Sequence, residues 1–268
     1  MTLVISVVIP SYNAAAFIRE TIDSVINQDY PEVQCIVVDG GSDDGTRDIL
    51  KKYEGRLEWL SEKDRGQSDA INKGLQLAKG EIVTYLNADD VYESGCLRKV
   101  ADAFMRNPES RWVYGKCRVI DEHGVEIRKL ITWYHDFWQR RYSYNRLLVV
   151  DFISQPSVFW RRELVEEFGL FDVDEHLAME YDFWLRIGAK YRPVFIDECL
   201  SRFRLHPVSK SATGFSAAAK NALRVARRAA VAQKRGFLVP LQYLNYFAVV
   251  SVYSVLNLAS RIRTDNGG

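Results

Sequence analysis

The segment LNADD, residues 86–90, places two adjacent carboxylates, Asp89 and Asp90, where an apolar run ends. The run, residues 81–86, is short and rich in β-branched and aromatic side chains, which predicts a buried strand. Carboxylates at the end of a strand can bind a hard cation such as Mg²⁺. They can equally belong to a loop that caps the next helix, because Asn and Asp are ordinary turn residues. The surrounding elements have to decide between these roles.

Strands and helices alternate along this part of the chain. Short apolar runs predict the strands, and apolar residues spaced three and four apart predict the helices between them. This alternation favours an α/β fold with a mainly parallel sheet that is covered by helices on both faces. The predicted strands are 3–9, 33–38, 57–60 and 81–86. Three helices are predicted between them. The first has Asn13 as a candidate N-cap, the second runs through about Tyr53, and the third extends from Gln67 to Lys79 before Gly80.

Polar loops follow three of these strands at their C-terminal ends. Ligands of parallel sheets bind outside the carboxyl ends of the strands, so we expect the three loops to converge on one crevice. The first strand is not followed by G-x-G-x-x-G, and G-x-x-x-x-G-K-[ST] does not occur, so neither a dinucleotide fold nor a P-loop is supported. Acids that face a nucleotide suggest a divalent metal between them and the phosphates. The loops are Pro10-Ser11-Tyr12-Asn13, Asp39-Gly40-Gly41-Ser42 and Asn87-Ala88-Asp89-Asp90.

The composition is that of a globular protein. With 268 residues, 47% hydrophobic and 26% charged, we expect one main domain with an elaborated C-terminal part. The net charge of +1 gives no global attraction to nucleic acid. The four cysteines form no C-x-x-C pair, which argues against zinc and a disulfide framework and favours a reducing cytosol. The apolar N-terminus stops at Pro10 and predicts a first strand rather than a targeting signal.

Several segments carry a resemblance to a known family. VVIPSYN (7–13), VVDGGSDDGT (37–46), DRGQSDAINKGLQLAKGE (64–81) and YLNADD (85–90) are followed by QPSVFWRREL (155–164), GLFD (169–172), MEYDFWLRI (179–187) and FRLH (203–206). In this order they resemble the motifs of the inverting family 2 glycosyltransferases, which have the GT-A fold; the later four are similar to the acceptor half of bacterial members that build surface polysaccharides. The resemblance covers roughly residues 3–210. It implies a GT-A domain at 1–210, with a nucleotide-sugar half at about 1–110, an acceptor half at about 111–210 and a C-terminal helical region at 211–268.

The resemblance also implies a nucleotide site. Asp39 is expected to accept a hydrogen bond from the nucleobase, which suits the imide N–H of uracil or thymine and disfavours cytosine. Capping of the loop that follows the strand is the alternative role for Asp39. Asp69 is placed near the nucleoside, or else it stabilises the dipole of its helix. The implied nucleotide-binding residues are Pro10, Ser11, Tyr12, Asn13, Asp39, Asp69, Asn87 and Ala88.

LNADD resembles the D-x-D motif of this family, with Asn87 in place of the first acid and Asp89 as the second. Asp89 is therefore expected to bind the Mg²⁺ or Mn²⁺ that bridges the diphosphate, while Asn87 offers an amide oxygen without charge. His206 resembles a histidine that reaches the metal or the diphosphate, although a lone histidine is also an ordinary polar residue. Asp90 could contact the metal through water or orient the loop, and Lys210 could meet a phosphate.

Inversion requires a base opposite the leaving group to take the proton of the acceptor hydroxyl. The D/E-x-D pattern of the family corresponds to Glu180 and Asp182, with Glu180 as the base and Asp182 as its support. A glutamate with an ordinary pKa of about 4.3 is ionised at neutral pH. Alternatively, both acids are favourable charges in the first turn of a helix. Gln155 and Trp184 could shape the sugar or acceptor pocket, with core packing as the alternative for the tryptophan.

The C-terminal part falls outside the motifs. Residues 216–235 are rich in alanine and arginine, and 237–260 contain no charged residue. Basic residues beside an aromatic-rich stretch suit a peripheral helix on an anionic leaflet, where lipid-linked acceptors lie. The alternative is packing on the catalytic domain or on a second subunit, which would make a homo-oligomer.

The sequence thus predicts an inverting, metal-dependent glycosyltransferase that uses a UDP- or dTDP-sugar at the cytoplasmic face of a bacterial membrane. A sugar nucleotidyltransferase should carry a Gly-rich basic loop where this chain has Ser11-Tyr12-Asn13. A catalytically silent binding or scaffold protein would be expected to lose Asp89 or the Glu180 and Asp182 pair, which this chain keeps.

Overall fold

The computed structural model describes residues 2–175, 177–207, 209 and 215–265, with side chains described as far as residue 252 except that of Phe215. The strands are β1 Ile5–Ser11, β2 Val33–Asp39, β3 Glu58–Ser61, β4 Ile82–Tyr85, β5 Val91–Tyr92, β6 Trp112–Ile120, β7 Glu126–Ile127, β8 Val158–Arg161 and β9 Val194–Arg204. The helices are α1 Ile18–Ile26, α2 Thr46–Lys51, α3 Gln67–Leu77, α4 Cys96–Arg106, α5 Lys129–Gln139, α6 Tyr144–Leu147, α7 Glu163–Phe168, α8 Met179–Gly188, α9 Phe215–Ala232 and α10 Val239–Asp265.

The described strands form one sheet in the order β3-β2-β1-β4-β8-β6-β9-β5, with β7 paired to β6. The neighbours from β3 to β4 are all parallel, as the alternation of strands and helices predicts. Beyond β4 the sheet is mixed, because β8 enters between β4 and β6 and runs antiparallel to both. The predicted α/β architecture, a central sheet flanked by helices, is confirmed.

Strand β1 is buried on both faces, as a central parallel strand between two layers of helices must be. Ile5, Val7 and Ile9 pack into one core with α1 and α4, and Val8 packs into the other with α3 and α8. Helix α3 comes very close to β1 at Gly74, where a Cβ would lie 2.2 Å from Val8 Cγ1. The absent side chain of Gly74 therefore sets the distance between helix and sheet.

The prediction of Asn13 as the N-cap of α1 is wrong. Helix α1 begins at Ile18, and its N-cap residue, Phe17, makes no side-chain capping bond. Asn13 has a left-handed backbone, with φ of 48°. It connects two loops instead, because its N–H donates to Ser42 Oγ (2.8 Å) and its Oδ1 accepts the N–H of Asp43 (3.1 Å).

The described part of the C-terminal region packs on the rest of the chain. Val225, Ala226 and Leu238 belong to the same core as α8. The buried Gln242 Nε2 donates to the carbonyl oxygens of Leu148 (2.7 Å) and Ala226 (3.0 Å). Among the described residues, no helix combines the length and the apolar character that crossing a bilayer requires. The division of the chain near residue 210 stays a prediction.

Candidate active site

Two predicted metal ligands meet in the structure, although they are 117 residues apart in the chain: His206 Nε2 lies 3.0 Å from Asp89 Oδ2. Asp89 lies in the loop between β4 and β5, and His206 follows β9. The short antiparallel pairing of β5 with β9 brings these two segments together. The ring of Phe17 packs against the imidazole at 4.9 Å between centroids and helps to fix its position.

This donor pair fits the expected cation. Mg²⁺ usually keeps several waters and takes one or two protein carboxylates plus substrate phosphates, so it does not need a closed protein cage. An imidazole is a suitable further ligand for Mn²⁺. The parts of the chain that the structure describes contain no group of three or more His, Cys, Asp or Glu side chains that could hold a metal. Asp89 and His206 would therefore hold a cation jointly with a ligand's phosphate oxygens.

Asp90 is completely buried and orients the loop that carries Asp89. Its Oδ1 accepts the N–H of Arg204 (2.8 Å) and its Oδ2 accepts Asn87 Nδ2–H (3.1 Å). Burial, followed by the charge of Asp89, raises the pKa of Asp90 well above its ordinary value. Arg204, which is also buried, donates from Nε to the carbonyl oxygen of Asp89 (2.8 Å). Hydrogen bonds to both Asp89 and Asp90 thus fix the conformation of this loop.

The amide of Asn87 is engaged inside the protein. Gln67 Nε2 donates to Asn87 Oδ1 at 2.6 Å, so the oxygen that the sequence offers to the metal already has a donor. Gln155 lies beside it, with its Oε1 3.4 Å from Asn87 Nδ2 and its own Nε2 donating to Tyr85 O (2.8 Å). Gln67 was not singled out in the sequence, although it stands within the segment 64–81 that resembles a family motif.

Asp39 is completely buried at the end of β2, beside Ser11 in the register of β1. Its Oδ2 accepts the N–H groups of Gly41 (3.2 Å) and Ser42 (3.0 Å) and the hydroxyl of Ser61 (2.6 Å), and its Oδ1 accepts the hydroxyl of Ser42. Asp39 therefore caps its loop, the alternative role considered for it. A carboxylate has about four acceptor positions, and Oδ1 keeps one of them for a further donor.

The other predicted nucleotide residues differ in exposure. Pro10 and Ser11 are buried, and the Ser11 hydroxyl has no hydrogen-bond partner among the described residues. Ala88 is buried as well, whereas Tyr12 exposes 68% of its surface. Asp69 accepts the N–H of Arg65 (3.2 Å) and lies 3.5 Å from Lys73 Nζ; the Arg65 N–H is the largest favourable influence and lowers the pKa of Asp69. This is the first-turn role that was the alternative for Asp69.

The predicted catalytic acids lie in the first turn of α8. Asp182 is nearly buried and forms ion pairs with Arg186 (2.9 Å) and with Arg228 of α9 (2.6 Å). Glu180 is half-buried. Arg228 was not recognised from the sequence, because it lies in an arginine-rich helix whose members look alike.

The structure excludes Trp184 from a pocket-lining role. Its side chain is completely buried and stacks on Trp112, with centroids 5.9 Å apart and ring planes 11° apart. It also packs edge-on against Trp160 at 5.5 Å. Helical spacing places Trp184 one turn from Glu180, but the large apolar ring is held by the core behind α8. Lys210 lies outside the described residues.

Asp151 is an additional acid near Glu180. The residue is exposed, yet protein atoms surround its carboxyl. This desolvation, followed by the negative charge of Glu180, raises the pKa of Asp151 to about 8. No local pattern in the sequence distinguishes Asp151 from other loop acids.

The chain is similar to several known proteins in sequence and in fold. The family model described as Glycosyl transferase family 2 matches residues 6–169. TuaG of Bacillus subtilis, named for teichuronic acid biosynthesis, is 29% identical over 221 residues, which cover 81% of this chain and 84% of that protein. Some relatives are longer, since the chain spans 35% of the length of one of them.

Two solved structures share the fold. S. aureus TarS 1–349 in complex with UDP-GlcNAc has a TM-score of 0.65 and 20% identity, over 85% of this chain and 67% of that one. The mannosyltransferase PcManGT from Pyrobaculum calidifontis, in complex with GDP-Man and Mn²⁺, has a TM-score of 0.64 and 20% identity, over 98% of this chain and 83% of that one. These similarities confirm the predicted GT-A architecture.

Proposed function

Because the chain belongs to glycosyl transferase family 2, we propose that this glycosyltransferase transfers a sugar, with inversion, from a nucleotide-sugar donor to a hydroxyl of a glycan or a lipid-linked acceptor. The product would be a bacterial surface polysaccharide, as the name of its relative TuaG suggests. The proposal rests on the contact between Asp89 and His206. This contact lies at the sheet edge where strands β1 and β2 also end.

The proposed donor is a UDP- or dTDP-sugar. One structural neighbour was solved with UDP-GlcNAc and another with GDP-Man, so the fold alone does not choose the base. Asp39 favours a pyrimidine, because its Oδ1 can accept the imide N–H of uracil or thymine. Tyr12 is exposed at the same edge and offers an aromatic face to the base or the ribose.

The proposed cofactor is Mg²⁺ or Mn²⁺, held by Asp89 and His206. When bound, the cation would neutralise the charge that grows on the departing nucleoside diphosphate. Two hydrogen bonds fix the loop that carries Asp89: Arg204 Nε donates to the Asp89 carbonyl oxygen, and Asp90 accepts the backbone N–H of Arg204. Asn87 would stabilise the loop, because its oxygen accepts Gln67 Nε2–H, and the second lone pair of that oxygen remains for a further contact.

Glu180 is the proposed base, and Asp182 holds its helix. Like charges close together cannot both ionise freely, and Asp151, with its pKa of about 8, keeps its proton at neutral pH. Glu180 is then the acid of this pair that is available to accept the proton of the acceptor hydroxyl. Gln155 donates from Nε2 to the carbonyl oxygen of Tyr85 at the end of β4, and would support the base of the site between the nucleotide-sugar half and the acceptor half.

The proposed location is the cytoplasmic face of the membrane. The region from Phe237 to Val252 exposes apolar side chains at Phe237, Leu241, Leu244, Phe247 and Val252. Such a face suits shallow insertion into an anionic leaflet, with the arginines of α9 nearby. The same face could instead pair two copies of the chain, and vesicle binding by a Leu244→Ser, Phe247→Ser variant distinguishes these outcomes.

Calorimetric titration with UDP, dTDP and GDP, in Mn²⁺ and in EDTA, tests the proposal. We expect one pyrimidine diphosphate to bind only with metal, and Asp89→Asn to weaken binding about tenfold or more because a charged metal ligand is lost. Asp29→Asn, at an exposed acid paired with Arg98, is the matched control and should bind like wild type. If no diphosphate binds under any condition, the transferase proposal fails and the scaffold alternative takes its place.

A further inference from the structure

Helix α5, Lys129–Gln139, presents its apolar side to solvent. Leu130, Trp133, Tyr134 and Phe137 are spaced three and four residues apart, so they share one side of the helix. They expose 84%, 66%, 37% and 40% of their surfaces. A continuous stripe of large apolar side chains is unusual on a surface that meets only water.

The side of α5 that faces the protein carries Trp138, which packs against the core, together with several polar side chains. Thr132, His135 and Gln139 each have a buried side-chain atom without a hydrogen-bond partner among the described residues. Burial lowers the pKa of His135. Thr132 and Asp136 line a groove of about 580 Å³ with Lys116, Arg118 and Asp197, and the exposed Trp133 and Lys129 also border this groove. Helix α5 thus packs on the core through Trp138, while the four large apolar residues of the stripe stay exposed.

The two ends of the stripe are basic. Residues 128–141 contain four arginines and lysines against one aspartate, Asp136; Arg140 pairs with Asp197 at 3.1 Å, and Glu126 lines the groove beside the helix. Arg141 lies over the ring of Phe137 at 4.2 Å, so a cation sits on the stripe itself. Lys129 is exposed at the other end of the helix. Aromatic and aliphatic side chains bordered by Lys and Arg characterise helices that lie in the interface of an anionic bilayer.

The exposed apolar area of the stripe is small. At about 150–250 Å² per side chain, the exposed fractions of the four residues amount to roughly 340–570 Å². A stable protein interface takes about 800 Å² from each partner. Insertion into lipid has no such minimum, because each apolar side chain contributes separately.

We propose that the outer face of α5, defined by Leu130, Trp133, Tyr134, Phe137 and the flanking Lys129 and Arg141, docks on the surface of an anionic lipid bilayer. This surface deepens the proposed membrane contact and lies in the acceptor half, so it would hold that half against the leaflet. It is distinct from the apolar face of α10, and its test needs neither donor nor acceptor.

Flotation of the full chain with phosphatidylcholine vesicles, with and without phosphatidylglycerol, tests the proposal. Wild type should bind the anionic vesicles, and Trp133→Ser with Phe137→Ser should lower the partition coefficient about tenfold or more. Lys129→Glu with Arg141→Glu should weaken binding to anionic vesicles alone. Met105→Ser, at a half-exposed apolar residue of α4, is the matched control and should bind like wild type.

A fluorescence measurement locates the contact. Brominated lipids should quench wild type more than Trp133→Phe, since the difference reports the indole at position 133. Vesicle binding by the Trp133→Ser, Phe137→Ser variant that equals wild type would overturn the proposal. So would a wild-type dimer in sedimentation velocity that this variant abolishes without changing vesicle binding. UDP binding by the same variants is measured by calorimetry without vesicles. This measurement distinguishes a failure of the membrane proposal from a failure of the proposed transfer activity.

Discussion

The ion pair between Arg228 of α9 and Asp182 of α8 is expected to position the helix that carries the proposed base. Arg228 Nη2 lies 2.6 Å from Asp182 Oδ1, and Arg186 holds the other oxygen at 2.9 Å. Glu180 stands two residues before Asp182, in the same first turn. Replacement of Arg228 by glutamine removes the contact from α9 but leaves Arg186 in place. Asp182 would then be held from its own helix alone.

The expected loss of stability is small. A hydrogen bond between charged groups contributes about 1.5–3 kcal/mol in a protected place. Because the Arg228 side chain is 55% exposed, solvent screening reduces the value to about 0.5–1 kcal/mol. In a chain of this size that corresponds to a fall in Tm of about 1–4 °C.

The expected effect on turnover is larger than the effect on stability. A displacement of about 1 Å at a catalytic group can reduce the rate about a hundredfold, so Arg228→Gln should lower kcat about tenfold or more. KM for the donor and the Kd for UDP should stay unchanged, because the nucleotide site lies on other loops. This pattern indicates an interaction that matters in the transition state rather than in ground-state binding.

UDP release from the donor selected in the binding screen, with and without acceptor, measures this effect. Lys220→Gln, at an exposed cation of the same helix, is the matched control. Arg228→Lys should recover part of kcat, since a charge remains without the planar fork. An Arg228→Gln enzyme with wild-type kcat, or one whose UDP affinity falls in parallel with kcat, would refute the reasoning.

Three further predictions concern single sites. Glu180→Gln should lower UDP release about 10²–10⁴-fold with unchanged UDP affinity in calorimetry, because the base is lost while the nucleotide site is kept; a mild effect on release would remove Glu180 from the role of base. Gly74→Ala should cost about 1–3 kcal/mol of unfolding free energy, because its Cβ would lie 2.2 Å from Val8 Cγ1, whereas Gly236→Ala meets open space and should unfold like wild type in thermal melts. The pKa of Asp151 is raised to about 8, so the folded state favours the protonated acid. The stability that this gives is present below about pH 4 and is lost as the pH rises through about 8. The Tm of wild type should therefore fall relative to that of Asp151→Asn between about pH 5.5 and 8.5, and parallel curves would contradict the assignment.

Local patterns in the sequence were sufficient for the first half of the fold. The alternation of apolar runs and helical spacing predicts β1 to β4 in parallel, and parallel strands bring their C-terminal loops to one edge. Asp39 and Asp89 were therefore placed at a common edge from the chain alone. Asn13 was misplaced as a helix cap, because its contacts with Ser42 and Asp43 come from another loop that local pattern does not reveal.

Long-range contacts decided the rest of the site. Asp89 and His206 meet because β5 pairs with β9, and the sequence does not predict this pairing because β5 has only two residues. Trp184 entered the core because Trp112 and Trp160, from β6 and β8, surround it. Arg228 was selected among similar arginines by the position of α9 against α8.

Helix α5 shows the boundary between the two kinds of information. The spacing of Leu130, Trp133 and Phe137 can be read in the sequence and assigns them to one side of a helix. Which side faces the body depends on the neighbouring elements, and here the core accepts Trp138 of this helix while Leu130, Trp133 and Phe137 stay exposed. Periodicity is a property of neighbouring residues, and the sequence determined it; burial is a property of the packed chain, and only the tertiary structure decided it.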